Sequence, residues 1–158
     1  MSQTFAGKTL GMVLLCATFL SPGAPTLAAG GGGTKSTTNT AVPTYAQAQA
    51  AVDAGQFSTA IKTLRVLVKT DPQNADAWNL LGFSSRKLKK YDDAGKYYQT
   101  ALKLDPRHRG ALEYQGELFV ETGAFDKAKA NLKTLKALCG NCEQYVDLQK
   151  VLAAAGQS

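Results

Sequence analysis

Apolar residues recur along this chain at helical spacing, and the pattern itself repeats. In "WNLLGFSSRKLKKYDD", Trp78, Leu81, Gly82 and Leu88 fall on one side of a helix, with polar residues between them. Lys89 and Lys90 mark a short turn. A second apolar face follows at Ala94, Tyr98, Ala101 and Leu102. Tyr91 is a hydrophobic residue before Asp92, the expected N-cap of that second helix. Asp105-Pro106 ends it, because the residue before a proline is pushed out of the helical region. The stretch from Ala75 to His108 therefore predicts a helical hairpin.

The same hairpin returns on either side at a period of 34 residues. Asp71-Pro72 recurs as Asp105-Pro106, and Gly82 as Gly116. Ala60, Ala94 and Ala128 keep one register; Phe57, Tyr91 and Phe125 keep another, followed by Ser58, Asp92 and Asp126. Gly82 and Ala94 let paired helices approach closely, while Trp78, Leu81 and Tyr98 fill the space around the contact. One such hairpin buries too little surface alone, so neighbours must stack on it. The expected fold is all-α, with units at 41–74, 75–108 and 109–141. Beyond them, Tyr145, Leu148, Val151 and Leu152 share one helical face. They predict a capping helix over 142–155, closed by Gly156.

The unit "WNLLGFSSRKLKKYDDAGKYYQTALKLDP" resembles a tetratricopeptide repeat. Trp78, Leu81-Gly82, Ala94, Tyr98, Ala101 and Pro106 sit on that family's pattern, and Ser85 departs where Tyr is usual. The first unit matches more loosely at Ala48, Ala60, Leu64, Leu67 and Pro72. The third does so at Leu112, Gly116, Phe119, Ala128, Leu132 and Leu135, with Gly140 in place of the final Pro. The resemblance covers 41–141. It implies a short right-handed solenoid whose first helices line a concave groove, and a non-enzymatic adaptor that binds a protein or peptide there.

By the same resemblance, the groove positions are Tyr45, Gln49, Asp53, Asn79, Phe83, Arg86, Lys87, Glu113, Glu117 and Glu121. Phe83 is the foremost candidate contact. The three glutamates, spaced by four, form an acidic ridge. Arg86 and Lys87 stand on the neighbouring helix; they either read a partner or neutralise that ridge. One subgroup of the family clamps a C-terminal carboxylate with Lys, Asn and Arg. The matching positions here hold Tyr45, Gln49, Leu80, Gly110 and Tyr114, so the resemblance does not imply binding of chaperone C-termini. A short array can also stack end to end, which makes self-association a further expectation.

The N-terminus changes the expected compartment. Lys8 is the only charge in the first thirty residues, and an apolar run from Leu10 to Leu20 follows it. Ser21, Pro22, Gly23 and Pro25 break that run, and small residues come at Ala28 and Ala29. This order predicts a secretory signal peptide over 1–29, too short for a comfortable permanent membrane span. Cys16 would leave with it; Leu15 before it argues against lipid attachment. The segment "GGGGTKSTTNT" over 30–40 reads as a flexible linker. A periplasmic or secreted destination follows, with a bacterial origin inferred.

Export bears on Cys139 and Cys142, because thiols outside the cytoplasm tend to be oxidised. Their spacing suits a structural disulfide, which a chain-entropy estimate values at about 2 kcal/mol before strain. The alternative is a thiol–disulfide exchanger. That chemistry wants its first cysteine at a helix N-terminus, whereas Cys139 is expected to end one helix and Cys142 to begin the next. No other chemistry stands out. The only histidine, His108, is expected on the surface between repeats. The two cysteines supply at most half a metal site, and Glu143 stands where a covalently held haem would need His. "GGGG" does not follow a strand, as a phosphate loop would. No enzyme activity, cofactor or metal is expected. The charge of +6, from 18 Lys+Arg against 12 Asp+Glu, is scattered apart from the cluster Arg86–Lys90. It reads as solvated helix faces, with no nucleic-acid partner expected.

Overall fold

A computed structural model describes residues 43–157. The expected signal peptide, Cys16 and the linker lie outside the described residues. Among those residues there are seven α-helices and no strand: α1 (Tyr45–Asp53), α2 (Phe57–Thr70), α3 (Ala75–Lys87), α4 (Tyr91–Leu104), α5 (Arg109–Glu121), α6 (Phe125–Cys139) and α7 (Glu143–Ala154). The all-α hairpin fold agrees with the pattern read from the sequence.

The hairpins α1–α2, α3–α4 and α5–α6 stack in order. In each stack the first helix of one hairpin also touches the first helix of the next: α1 meets α3, α3 meets α5, and α5 meets α7. These four form an inner row, and α2, α4 and α6 an outer one. The alanines of the shared register, Ala60, Ala94 and Ala128, are fully buried where paired helices cross. Gly82 serves the same purpose in the α3–α4 hairpin, whereas Gly116 on α5 makes room for α7 rather than for its hairpin partner α6. A Cβ at Gly82 would meet the Tyr98 ring at 2.6 Å, and one at Gly116 would meet Leu148 at 2.5 Å.

The N-caps follow the period too. Asn74, His108 and Cys142 occupy one register before α3, α5 and α7. Asn74 Oδ1 accepts from the Ala77 N–H at 2.9 Å, and His108 Nδ1 from the Ala111 N–H at 3.1 Å. His108 is thus a capping residue rather than a surface bystander. Its ring is drawn in because the first four N–H groups of a helix lack intrahelical acceptors, and its Nε2 lies 3.0 Å from Asp76 Oδ1. The expected cap at Asp92 is not used. Helix α4 begins at Tyr91 after Lys90, and Asp92 stands in its first turn, where the helix dipole favours a carboxylate. The turn before α4 explains the difference. Gly55, Lys89 and Gly123 share one register, and all three have positive φ (69°, 58° and 76°). That left-handed residue turns the chain straight into the second helix.

Candidate binding groove

The inner helices set side chains in rows across the stack. Tyr45, Asn79, Glu113 and Asp147 form one row, one residue from each of α1, α3, α5 and α7. Gln49, Phe83 and Glu117 form the next, and Asp53, Lys87 and Glu121 the third. Along α1 the rows are tied by hydrogen bonds: Tyr45 Oη donates to Gln49 Oε1 at 3.4 Å, and Gln49 Nε2 to Asp53 Oδ1 at 2.8 Å. Asp147 belongs to the first row but escaped the sequence reading. The period that places Glu113 also places Asp147, one unit on, in the helix read only as a cap.

Phe83 is half-buried at the centre. Its ring lies edge-on to Phe57, centroids 6.1 Å apart, and 4.9 Å from the Tyr114 ring. Lys87 Nζ stands 5.3 Å from the Phe83 centroid, and the Arg86 guanidinium 5.7 Å. An aromatic face flanked by two cations is thereby held in place by its neighbours.

Arg86 does not reach the groove surface. It is only 5% exposed and spans from α3 to α5, pairing Nη2 with Glu117 and Nη1 with Glu121. Two carboxylates on one face of α5 draw the guanidinium into the helix interface. Burial by itself would make the cation less favourable, but Tyr98, Glu117 and Glu121 outweigh that, and the guanidinium is held more firmly protonated than usual. Tyr98 is fully buried beside it, yet its hydroxyl and Arg86 Nε make no hydrogen bond of normal geometry. Burial pushes the Tyr98 hydroxyl well above the usual phenol range. The central part of the acidic ridge is therefore neutralised from within, and Lys87 remains the exposed cation of α3.

Glu113 differs from the other two glutamates. It is 8% exposed, and no ion pair among the described residues reaches it. Its pKa is raised to about 7, by burial first and then by the carboxylates of Glu117, Asp147 and Glu143; Arg86 pulls the other way. Asn79, one hairpin earlier in the same row, is also 8% exposed, and its Oδ1 has no hydrogen-bond partner. A depression of about 500 Å³ does exist elsewhere, lined by Tyr91, Gly95, Gln115 and Phe119 among others, but it shares no residue with these rows.

Cys139 and Cys142 sit at the junction of α6 and α7, their Cα atoms 5.6 Å apart, a separation a disulfide can span. Cys139 is the last residue of α6, and Cys142 caps α7. Two periods earlier, Asp71 and Asn74 hold the same two positions and join by a side-chain hydrogen bond of 3.1 Å. Gly140 between the cysteines has φ +68°, where a side chain would be strained. The pair thus stands where another repeat already bridges its turn. The end of α6 is also the negative end of that helix, the wrong end to stabilise a thiolate.

Two family models described as tetratricopeptide repeat match the chain, over residues 75–108 and 45–74. No curated protein matches it in sequence. Among solved structures it is similar to MamA, with TM-score 0.62 and 21% identity, covering 71% of this chain and 66% of that one. A second structure, PcrH in complex with the chaperone binding region of PopD, has TM-score 0.63 and 21% identity, covering 71% and 87%. The second such domain of human RPAP3, in complex with an HSP70 peptide, has TM-score 0.61 and 23% identity, covering 67% and 89%. At these identities the likeness concerns the fold. The match spans just under two thirds of the MamA chain. Among the described residues, no helix is long and apolar enough to cross a membrane.

Proposed function

This chain belongs to the tetratricopeptide-repeat family, and we propose that it works as a non-catalytic adaptor, binding a segment of a partner protein along its inner rows. The observation that carries this reading is Phe83. Its ring is half-buried on the groove wall, held by Phe57 and Tyr114 and flanked by the exposed Lys87. Fixed aromatic rings beside a charge lose little freedom on binding and offer much apolar area. The network of buried Arg86 with Glu117 and Glu121 supports the same reading, because it ties α3 to α5 beside those rings. The solved relatives that carry peptides or protein segments, PcrH and RPAP3, support it by analogy of fold. Chaperone C-termini are not the proposed ligand, since Leu80 and Gly110 replace the polar groups such a clamp would need.

The adaptor is further proposed to act outside the cytoplasm, after removal of residues 1–29, with Cys139 and Cys142 joined as a staple between α6 and α7. Intact mass with and without reductant checks the staple: the oxidised chain is lighter by two hydrogens. The groove reading is tested by whether a photoreactive side chain on the inner rows captures the partner where one on the outer row does not.

A further inference from the structure

Glu113 and Asn79 are two largely buried polar residues of one row: Asn79 Oδ1 is enclosed without a partner, and the Glu113 carboxylate has no cation of its own among the described residues. Both are 8% exposed. They hold the same row on adjacent helices, and α3 touches α5. The Asn79 amide is packed against Gly110: a Cβ there would lie 3.3 Å from Asn79 Nδ2. Gly110 is one turn before Glu113 on α5, so the Asn79 amide meets α5 one turn before Glu113. Among the described residues, Asn79 Oδ1 has no hydrogen-bond partner and no ion pair reaches the Glu113 carboxylate.

The charges around Glu113 fix what could satisfy it. Facing it are Glu117 and the Tyr114 hydroxyl from its own helix, Asp147 and Glu143 from α7, and Arg86 from α3. Arg86 is already committed to Glu117 and Glu121, and Asp147 accepts from Lys150 at 2.8 Å. The acidic cluster is thus net negative, and its neighbouring cations Arg86 and Lys150 are both already paired. A buried carboxylate and a buried amide oxygen are costly without donors. A multiple donor with positive charge would serve both the carboxylate and the amide oxygen and would offset the negative charge around them. An ammonium brings three N–H donors and a guanidinium five.

We propose that Glu113 and Asn79 form the receiving site for a lysine or arginine side chain carried by the partner segment, which rests on the groove reading above. The Phe83–Tyr114 rings would hold apolar parts of the same segment, and the cation would set its register. An acidic or neutral side chain at that position is disfavoured, because it leaves Glu113 unsatisfied beside Glu143 and Asp147. Protonation of Glu113, whose pKa is raised to about 7, removes the charge that a cation would meet, so binding weakens as pH falls through that value.

The test uses the full chain and pools of short synthetic peptides. Each pool fixes lysine, arginine, norleucine or glutamate at one central position and is degenerate elsewhere. The wild type is expected to retain the lysine and arginine pools about tenfold better than the norleucine or glutamate pools. The preference should weaken from pH 8 to pH 6. Glu113→Gln should lose the preference yet still bind through the rings, and its thermal midpoint shows that it folds. A preference that survives in Glu113→Gln overturns the assignment. Binding that is lost in Phe83→Ala but never favours a basic residue also overturns it, while leaving the groove reading standing. If no pool binds in a Phe83-dependent way, both readings fail.

Discussion

A Cβ on Gly82 would stand 2.6 Å from the ring of Tyr98, which is fully buried and cannot swing aside. The α3–α4 contact is closed at this one point. Gly82→Ala gains helix propensity but must displace an aromatic ring, so a net loss of about 1–2 kcal/mol is expected. Gly95 offers the control. A Cβ there meets only Leu118 Cδ2, at 3.7 Å. Gly95→Ala should be neutral or stabilising by up to about 1 kcal/mol. Urea unfolding of the two variants reads the contrast directly.

Lys89 is the only non-glycine with positive φ among the described residues, in a register where the neighbouring hairpins use Gly55 and Gly123. Lys89→Gly relieves the clash of its Cβ in the left-handed region but frees the unfolded chain. A net stabilisation of about 0.5–1 kcal/mol is expected. A fall in the unfolding midpoint would show that the lysine side chain contributes something its exposed position does not reveal.

Arg86 and Glu117 act as a buried pair with Glu121 beside them. Arg86→Met fills the space but leaves the partly exposed Glu117 and Glu121 carboxylates without their cation, and is expected to cost about 1–2 kcal/mol. Glu117→Gln should cost less, since Glu121 still holds the guanidinium. The double variant should show a coupling of about 1 kcal/mol or more in an equilibrium unfolding cycle. Additive losses would mean that the two groups do not interact across the α3–α5 interface.

The pH dependence centres on Glu113. Its pKa rises from the ordinary 4.5 to about 7 on folding. Between those values the native state binds more protons than the unfolded one, so stability falls as pH rises through this window. The loss is on the order of 2 kcal/mol and is complete above about pH 7. Glu113→Gln should remove that slope and leave the variant more stable than wild type at pH 8. Denaturant midpoints at pH 5 and pH 8 for both proteins check the sign.

Much of this was legible in the sequence because the period is strict. The Ala60–Ala94–Ala128 register, the close approach at Gly82 and the hairpin order follow from spacing alone, whereas the contact of Gly116 with Leu148 on α7 does not. The groove rows followed from the family resemblance, which placed Tyr45, Asn79, Phe83 and Glu113 on inner helices. Spacing could not tell which charges are consumed within the fold. Arg86 and Lys87 are adjacent in sequence, yet one is buried between two glutamates and the other is exposed. That difference depends on the distance between α3 and α5, which no local pattern encodes. Glu113 and Glu117 look equivalent along the helix and differ only in whether Arg86 reaches them. The capping use of His108 was hidden because histidine is an uncommon N-cap; the register shared with Asn74 was the available clue. Asp147 was missed because α7 was read only as a cap.

The central claim is that the partner lies across the inner rows. Replacing Lys87, on the inner α3, with p-benzoylphenylalanine places a photoreactive group beside Phe83. Replacing Val66, exposed on the outer α2, places one on the other side of the stack. Irradiation in the source cells, followed by immunoblotting of this protein, measures the adducts from each position. The account predicts a discrete cross-linked band from position 87, lost when Phe83→Ala is added, and none from position 66. A band from position 66 with none from position 87 would contradict it.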